Sequence, residues 1–367
     1  MRVLLVSQKP NAPTITGEMV FVENLTRGLI ESGIGVQSCE LATDFLPQQD
    51  LSRLVRYTRI PGIVRAYGSL RGKQGHDIIH FLDSSLAPSG LGMKGIKVAT
   101  SHILGKSHYS YRRGGNPASR AVESAYSLYS NAIDGFSFRR MDKVVAESPF
   151  HRDDLRKTFN LPQSKLEIIP PGVDTEKIRA CPAIDLRSRF GCEHAVAYIA
   201  RLDSPAKGLA HFIEAAALLR DESIAFVVVG DGTERAHFER TVRERGLSGR
   251  VFFLGALGFS EKTSIQKSAD AVVIPSVSET FCMVFAESLA AGVPVVAYDL
   301  PFWKGLYDGA GVFVKQDAAS LAMGIKKAIG DAGFRKKCVS NGLALAEKYD
   351  VKNTVSAYIR LYEALVR

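Results

Sequence analysis

Glu279 and Glu287 are the carboxylates whose positions best suit chemistry. An apolar strand is predicted to end at Ile274, so Glu279 falls in the loop that follows and Glu287 in the next helix. Backbone N–H groups at the start of that helix, near Phe281 to Val284, favour a bound diphosphate, which leaves the carboxylates to bind hydroxyl groups. On spacing alone, the two glutamates are as readily explained without a ligand, as a helix N-terminal acid and a solvated side chain.

Arg201 and Lys207 supply positive charge at a second strand end. A strand is predicted to end at Arg201, and a turn brings Lys207 to the start of a helix. Arginine can bind a diphosphate through two parallel hydrogen bonds, and lysine binds it as a point charge. Both cations would stabilise the negative charge that grows on a diphosphate leaving group.

Short apolar runs alternate with amphipathic stretches, which predicts an α/β protein with parallel sheets. The segment Pro170-Pro171-Gly172 combines turn residues with a break in periodicity and is the predicted linker. Strands are predicted on both sides of it, at Val3–Val6, Ile78–Phe81, Val98–Ser101, Val144–Ala146, Val196–Ala200, Phe226–Val229, Val251–Leu254, Val272–Ile274 and Val295–Ala297.

Two Rossmann-like domains are therefore expected. The first spans residues 1–172 together with an amphipathic stretch at 350–367, and the second spans residues 173–349. A length of 367 residues exceeds what one hydrophobic core usually supports. Ligands of open parallel sheets bind beyond the carboxyl ends of the strands, so two sheets facing each other predict a cleft between the domains.

The composition is that of an ordinary globular protein. Apolar residues make up 46% and charged residues 23%, which argues against disorder. The five cysteines show no zinc-ligand or redox spacing, which fits a reducing compartment. No signal peptide or membrane-spanning run is recognised, so a cytoplasmic location is expected.

The sequence resembles the retaining glycosyltransferases of the GT-B fold, the family 4 type or glycosyl transferases group 1. The resemblance covers nearly the whole chain. It is strongest at Arg201 with Lys207-Gly208, and at Glu279 and Glu287 ahead of Ala291-Gly292-Val293-Pro294. Weaker elements agree in order, and they are Gly17, Ile168–Asp174, Val229–Gly232 and Phe253–Gly255.

The resemblance implies that Arg201 and Lys207 hold the diphosphate of a nucleotide sugar, Glu287 binds the ribose and Glu279 the transferred sugar. It implies transfer of a hexosyl-type sugar with retention of configuration, in which the leaving phosphate helps deprotonate the acceptor, with no protein nucleophile, metal or cofactor. The first domain would bind the acceptor and the second the nucleotide sugar. The expected donor-binding residues are Gly17, Arg201, Lys207, Gly230, Glu279, Phe281, Cys282, Met283 and Glu287, and the catalytic ones Glu279, His102, Arg201 and Lys207.

This chain departs from the family pattern at three positions. Thr280 and Cys282 stand where the family usually has glycine, which allows the backbone to approach sugar and phosphates closely. Cys282 is therefore expected to narrow the sugar pocket. In the first loop the family has two adjacent glycines, and here Thr16 precedes Gly17.

His102 and Arg120 are the predicted acceptor-side residues. His102 follows a predicted strand, where the family often has a histidine near the transferred sugar or the acceptor hydroxyl. A histidine at a strand end is otherwise a hydrogen-bonded structural group. Arg120 resembles a position that some relatives use for an acceptor phosphate. The acceptor would be a glycan, a lipid-linked group or a small molecule.

A basic amphipathic segment at residues 51–75 predicts peripheral attachment to an anionic membrane face. The net charge of +9 also suits a nucleic-acid-binding protein, but no recognition helix, aromatic platform or zinc finger accompanies it. A nucleotide-sugar epimerase or hydrolase on the same fold is the other alternative. No Asp-X-Asp motif is present, and Asp153-Asp154 sits in a predicted helix, so no metal site is expected.

Overall fold

The computed structural model describes residues 1–8, 17–41, 60–104 and 117–367, without the side chains of 60–62, 65 and 117–127. The described chain forms two compact units. The first runs to Pro171 and also includes Lys352–Arg367, and the second comprises Gly172–Val351 together with Gly17. The division therefore falls within the Pro170-Pro171-Gly172 segment.

The first unit is built on a parallel six-stranded sheet of order β2-β1-β3-β4-β5-β6. Its apolar strand interiors are buried and form one core with the covering helices. The strands are β1 Arg2–Gln8, β2 Gly35–Leu41, β3 Ile78–Phe81, β4 Ile96–Thr100, β5 Lys143–Ala146 and β6 Leu166–Ile168. The helices are α1 Gly17–Glu31, α2 Ile60–Leu70, α3 Pro117–Phe138 and α4 Pro149–Phe159.

The second unit carries a parallel six-stranded sheet of order β12-β11-β10-β7-β8-β9 with its own core. Its strands are β7 His194–Ile199, β8 Ile224–Val229, β9 Val251–Gly255, β10 Ala271–Ile274, β11 Val295–Tyr298 and β12 Gly311–Val314. Its helices are α5 Thr175–Ala180, α6 Leu186–Phe190, α7 Leu209–Leu218, α8 Arg235–Glu244, α9 Phe259–Ser268, α10 Met283–Ala290, α11 Ala318–Gly330 and α12 Ala332–Lys348.

The last helix, α13 Val351–Val366, supplies two buried tyrosines to the first unit. The Tyr362 hydroxyl lies 2.6 Å from Nδ1 of His80, and the Tyr358 hydroxyl lies 2.9 Å from Oγ1 of Thr100. Thr100 also contacts the other nitrogen of His80 at 2.8 Å. Buried polar groups thus fix the helix on the sheet of the first unit.

Three strands escaped the sequence prediction, and all three lie at sheet edges. They are β2, β6 and β12. An edge strand is covered less than a central one, so it does not require a continuous apolar run. β2 buries only Cys39 and Leu41, and β6 and β12 are only three and four residues long. Among the described helices, none has the length and apolarity needed to cross a bilayer.

Candidate functional site

A partly buried ion pair joins the loops that follow two neighbouring strands of the second unit. Lys207 ends the short 3-10 turn Pro205–Lys207 after β7, and Glu279 lies in the loop after β10. The Lys207 Nζ donates to Oε1 of Glu279 at 2.7 Å, with side chains 27% and 10% exposed. Burial disfavours the charged lysine, but the carboxylate of Glu279 outweighs it and raises the pKa of Lys207. Lys207 is therefore a cation at neutral pH.

Gly208 allows the two loops to meet. Its φ is +71°, and a Cβ placed on it would lie 2.1 Å from the carbonyl oxygen of Pro275. No side chain fits into that gap, so only glycine permits this approach. The Lys207 carbonyl also accepts a hydrogen bond of 3.2 Å from the Tyr198 hydroxyl, which fixes the turn on the end of β7.

The loop turns into α10 through a strained cysteine. Cys282 has a φ of +68° and a ψ of +85°, and it caps the helix that begins at Met283. Its carbonyl accepts from the N–H of Phe285 at 3.0 Å. A left-handed residue followed by right-handed ones turns successive N–H groups toward one point, which creates an anion-binding concavity at the positive end of the helix. The N–H groups concerned belong to Cys282, Met283 and Val284.

Glu287 projects from α10 and is buried, with one oxygen paired and one unpaired. Oε1 lies 2.6 Å from the Nζ of Lys262 on α9, whereas Oε2 has no partner among the described residues. A buried carboxylate oxygen without a hydrogen-bond donor is costly unless a ligand satisfies it. Lys262 was not predicted, because nothing in its local sequence indicates a charge partner on another helix.

Three other predicted donor-site residues are either exposed or kept from side-chain contact with a ligand by packing. Arg201 is 51% exposed and pairs with Asp203 at 3.3 Å. Gly230 has a φ of +140°, and a Cβ there would lie 1.9 Å from the carbonyl oxygen of Ala200. The glycine is therefore required by the close packing of the backbone at this position. The Phe281 ring is buried in an aromatic cluster with its ring centre 5.2 Å from that of Tyr349, so only its backbone faces a ligand.

The first unit places His102 beside Glu147, at the carboxyl ends of β4 and β5. Nδ1 of His102 donates to Oε1 of Glu147 at 2.6 Å, and Nε2 donates to the Leu82 carbonyl at 2.7 Å. Both partners are acceptors, so both ring nitrogens must carry a proton and the ring is an imidazolium. Burial would lower the pKa of His102, but the charge and hydrogen bond of Glu147 outweigh it and raise the pKa to about 9.

A second histidine, His151, belongs to the same polar cluster and is neutral. Nδ1 of His151 accepts from the Glu147 N–H at 3.2 Å, and Nε2 donates to the Ile103 carbonyl at 2.9 Å. Burial lowers the pKa of His151 to about 4, so it is neutral. Glu147 was also not predicted, although an acid directly after a buried strand is a recognisable signal.

The other predicted residues are placed as follows. Gly17 is the first residue of α1. Arg120 lies in α3, but its side chain is outside the described residues, as are the residues of the basic segment from 51 to 59. Asp153 pairs with its neighbour Arg152 at 2.9 Å. Over the described ranges, no group of three His, Cys, Asp or Glu side chains is arranged to hold a metal ion.

Proteins of known structure share this fold over nearly the entire chain. A sucrose-phosphate synthase from Thermosynechococcus elongatus superposes with a TM-score of 0.81 at 21% identity, covering 99% of this chain and 98% of that one. Anabaena HepE in complex with UDP-glucose superposes with a TM-score of 0.74 at 18% identity, covering 99% and 100%. These likenesses confirm the α/β GT-B fold class that the sequence predicts.

Sequence comparison identifies the family. The model of the glycosyl transferases group 1 matches residues 190–344, and that of glycosyltransferase family 4 matches residues 16–177. A phosphatidyl-myo-inositol mannosyltransferase of Mycobacterium leprae is 30% identical over 297 residues, covering 79% of this chain and 74% of the relative. The chain belongs to the glycosyl transferases group 1.

The relatives differ in how much of their length is matched. A 2-deoxystreptamine glucosyltransferase of Streptomyces kanamyceticus is 27% identical over 250 residues, which cover 64% of this chain and 64% of the relative. The chain thus spans less than two thirds of that relative's length. The names of the two relatives give different acceptors, so membership of the family does not identify an acceptor for this chain.

Proposed function

We propose that this protein is a retaining, metal-independent glycosyltransferase that moves a hexosyl-type sugar from a nucleoside diphosphate to a hydroxyl acceptor. The observation that carries the proposal is the Lys207–Glu279 pair beside the N–H groups at the start of α10. The second unit would bind the donor and the first the acceptor, which we expect to be a glycan, a lipid-linked group or a small molecule. The matches to mannosyl- and glucosyltransferases and the fold shared with a UDP-glucose complex support this assignment.

The charges of the site suit departure of a diphosphate. Lys207 and the N–H groups of Cys282 to Val284 would stabilise the oxygen that gains negative charge when the bond to the sugar breaks. Arg201 is more exposed than Lys207, so its charge is better screened by water and contributes less. Glu287 would accept from ribose hydroxyls through its unpaired Oε2.

Glu279 is suited to holding the sugar rather than attacking it. One of its oxygens is committed to Lys207 at 2.7 Å, so its charge is largely neutralised. A neutralised carboxylate is a weak nucleophile but still accepts hydrogen bonds from sugar hydroxyls. The acceptor hydroxyl would then attack from the face that the diphosphate leaves, and a phosphate oxygen would take its proton.

The ion pair provides a test in which two variants give opposite results. Binding of UDP, GDP and ADP is measured by calorimetry for the wild type, Lys207→Met and Glu279→Gln. We expect Lys207→Met to weaken binding of the preferred nucleotide. Glu279→Gln should bind it at least as tightly as the wild type, because it frees the ammonium group from its carboxylate partner. Transfer from the matching nucleotide sugar should fall by about 100-fold or more in both variants.

A second ion pair of the same unit serves as the matched control. Lys326 and Glu222 lie 2.6 Å apart on the surface, so Lys326→Met removes the same kind of contact away from the site. It should leave binding and transfer unchanged. Wild-type failure to bind any of the nucleotides, or equal losses in Lys207→Met and Lys326→Met, would refute the proposed function.

A further inference from the structure

Tyr307 lies behind the start of α10 in a buried aromatic cluster. Its ring stacks on that of Phe285 with ring centres 4.0 Å apart and planes inclined by 3°. The rings of Trp303 and Tyr349 flank it, each with a centre 5.8 Å away. The ring is fully buried, so its position is fixed by packing from several sides.

The Tyr307 hydroxyl is directed at the turn that contains Cys282. It donates to the Phe281 carbonyl at 2.9 Å and lies 3.4 Å from the Cys282 carbonyl. The Cys282 carbonyl is already bonded to the N–H of Phe285 at 3.0 Å. The bond to Phe281 is therefore the shorter of the two that the Tyr307 hydroxyl makes to this turn.

This bond determines where the next N–H group points. A trans peptide is planar, with its C=O and N–H directed to opposite sides. When Tyr307 holds the Phe281 carbonyl, the N–H of Cys282 must point away from the aromatic cluster. That N–H is the first of the three at the start of α10.

Cys282 requires such support because its conformation is unfavourable. Its φ is +68°, and only one other non-glycine residue of the described chain, Asn160, has a positive φ. Asparagine tolerates that region better than cysteine does. Without a bond to hold it, the peptide between Phe281 and Cys282 is free to rotate toward ordinary backbone angles. The three N–H groups would then no longer converge.

We propose that Tyr307 is a positioning residue, which through the Phe281 carbonyl aims the N–H of Cys282 at the diphosphate of the donor. The proposal rests on the proposed function and adds to it the residue that shapes the phosphate subsite. Tyr307 itself does not touch the ligand. Its hydroxyl, rather than its ring, carries the effect.

Tyr307→Phe removes the hydroxyl and keeps the stacked ring. Tyr349→Phe is the matched control, because its buried hydroxyl donates to a carbonyl at the same distance of 2.9 Å in the same cluster, but to Leu306. Calorimetric titration with UDP, GDP and ADP should give a dissociation constant for the preferred nucleotide about tenfold higher in Tyr307→Phe. The value for Tyr349→Phe should stay within about twofold of the wild type.

Two further measurements separate positioning from a general loosening of the unit. With 15N-cysteine labelling, the amide of Cys282 is one of five resonances, and it should shift in Tyr307→Phe but not in Tyr349→Phe, with no ligand present. In the double variant Tyr307→Phe with Cys282→Gly, affinity should recover, because glycine adopts a φ of +68° without strain.

An unchanged Cys282 amide, or a Tyr307→Phe variant that binds as tightly as the control, would overturn the proposal whatever the donor is. If the wild type bound none of the three nucleotides, the proposed function would fail instead, and the role of Tyr307 toward a diphosphate would fail with it. In Tyr307→Phe, a shifted Cys282 amide together with weaker nucleotide binding that Cys282→Gly restores supports both the proposed function and the positioning role of Tyr307.

Discussion

Glu147→Gln tests whether the His102 ring is protonated at neutral pH because of its carboxylate partner. The ring of His102 donates to two acceptors, the Glu147 carboxylate and the Leu82 carbonyl. Replacing the carboxylate by an amide keeps the shape of the side chain and removes its charge. Burial, which disfavours the imidazolium, is then opposed only by the weaker charges of Glu18 and Asp83, so the pKa of His102 should fall from about 9 to its ordinary value of 6.5 or below.

The size of the effect follows from that difference. A rise of the pKa from 6.5 to about 9 corresponds to about 3 kcal/mol of preference for the charged form in the folded protein. A folded-state pKa above the unfolded one stabilises the protein fully below pH 6.5, and this contribution is lost as the pH rises through about 9. Glu147→Gln should therefore destabilise the first unit most at pH 6 and least at pH 10.

The charged groups that face His102 come from several elements. Glu18 of α1 and Asp83 after β3 add smaller favourable charges to that of Glu147. His80 of β3 is neutral, because burial lowers its pKa to about 3, and His151 is neutral as well. Glu147 is thus the group whose loss should matter most.

Proton NMR of the histidine ring protons is the direct assay, with His102→Gln to assign the resonance among eight histidines. The wild-type resonance should titrate near pH 9, and that of Glu147→Gln at or below 6.5. Glu18→Gln, which removes a more weakly acting charge, should shift the midpoint less. A wild-type midpoint near 6.5 would show that the hydrogen-bond argument is wrong.

Two further changes test the second unit, and the fluorescence of its sole tryptophan, Trp303, reports its unfolding. Gly208→Ala should lower the free energy of unfolding by at least about 2 kcal/mol, because it combines a positive φ with a backbone clash. Gly191→Ala, with a φ of +61° but nothing within 4 Å, should cost only about 1 kcal/mol, and equal losses would contradict the clash. Asp270→Asn should cost about 2 kcal/mol at pH 7, because the buried carboxylate accepts from the Ala195 N–H and from Arg187. Burial raises the pKa of Asp270, but these bonds outweigh it and lower the pKa, so the stabilisation is present at neutral pH and lost as the pH falls. A difference between Asp270→Asn and wild type that grew on acidification would contradict that sign.

The sequence predicts the central strands because their burial on both faces demands apolar runs. The run Val272–Ile274, for example, lies within β10, which neighbours β7 and β11. The edge strands lack this demand. β2 contains Gln37, Ser38 and Glu40, and its pattern does not separate a strand from a loop.

The residues of the candidate site likewise fall into those that the sequence could place and those that it could not. Lys207 and Glu279 could be placed from sequence, because each follows a strand that is predictable and parallel strands end at one edge. Lys262 and Tyr307 could not, since their contacts with α10 and its capping turn join elements that are far apart in the chain. For Cys282 the family pattern indicated a glycine position, and the positive φ gives the physical reason.

The cluster around His102 and the residues on α9 and α10 differ in whether their hydrogen bonds are complete. In the first unit, both nitrogens of His102 and both of His151 have protein partners, so that cluster is satisfied as it stands. On α9 and α10, Oε2 of Glu287, Oγ1 of Thr263 and Oε1 of Gln266 are buried without a partner among the described residues. Native proteins rarely leave such groups unpaired, and a ligand is one way to satisfy them. This contrast favours ligand binding beside Glu287 rather than beside His102, because the carboxylate of Glu287 still has a hydrogen bond to make.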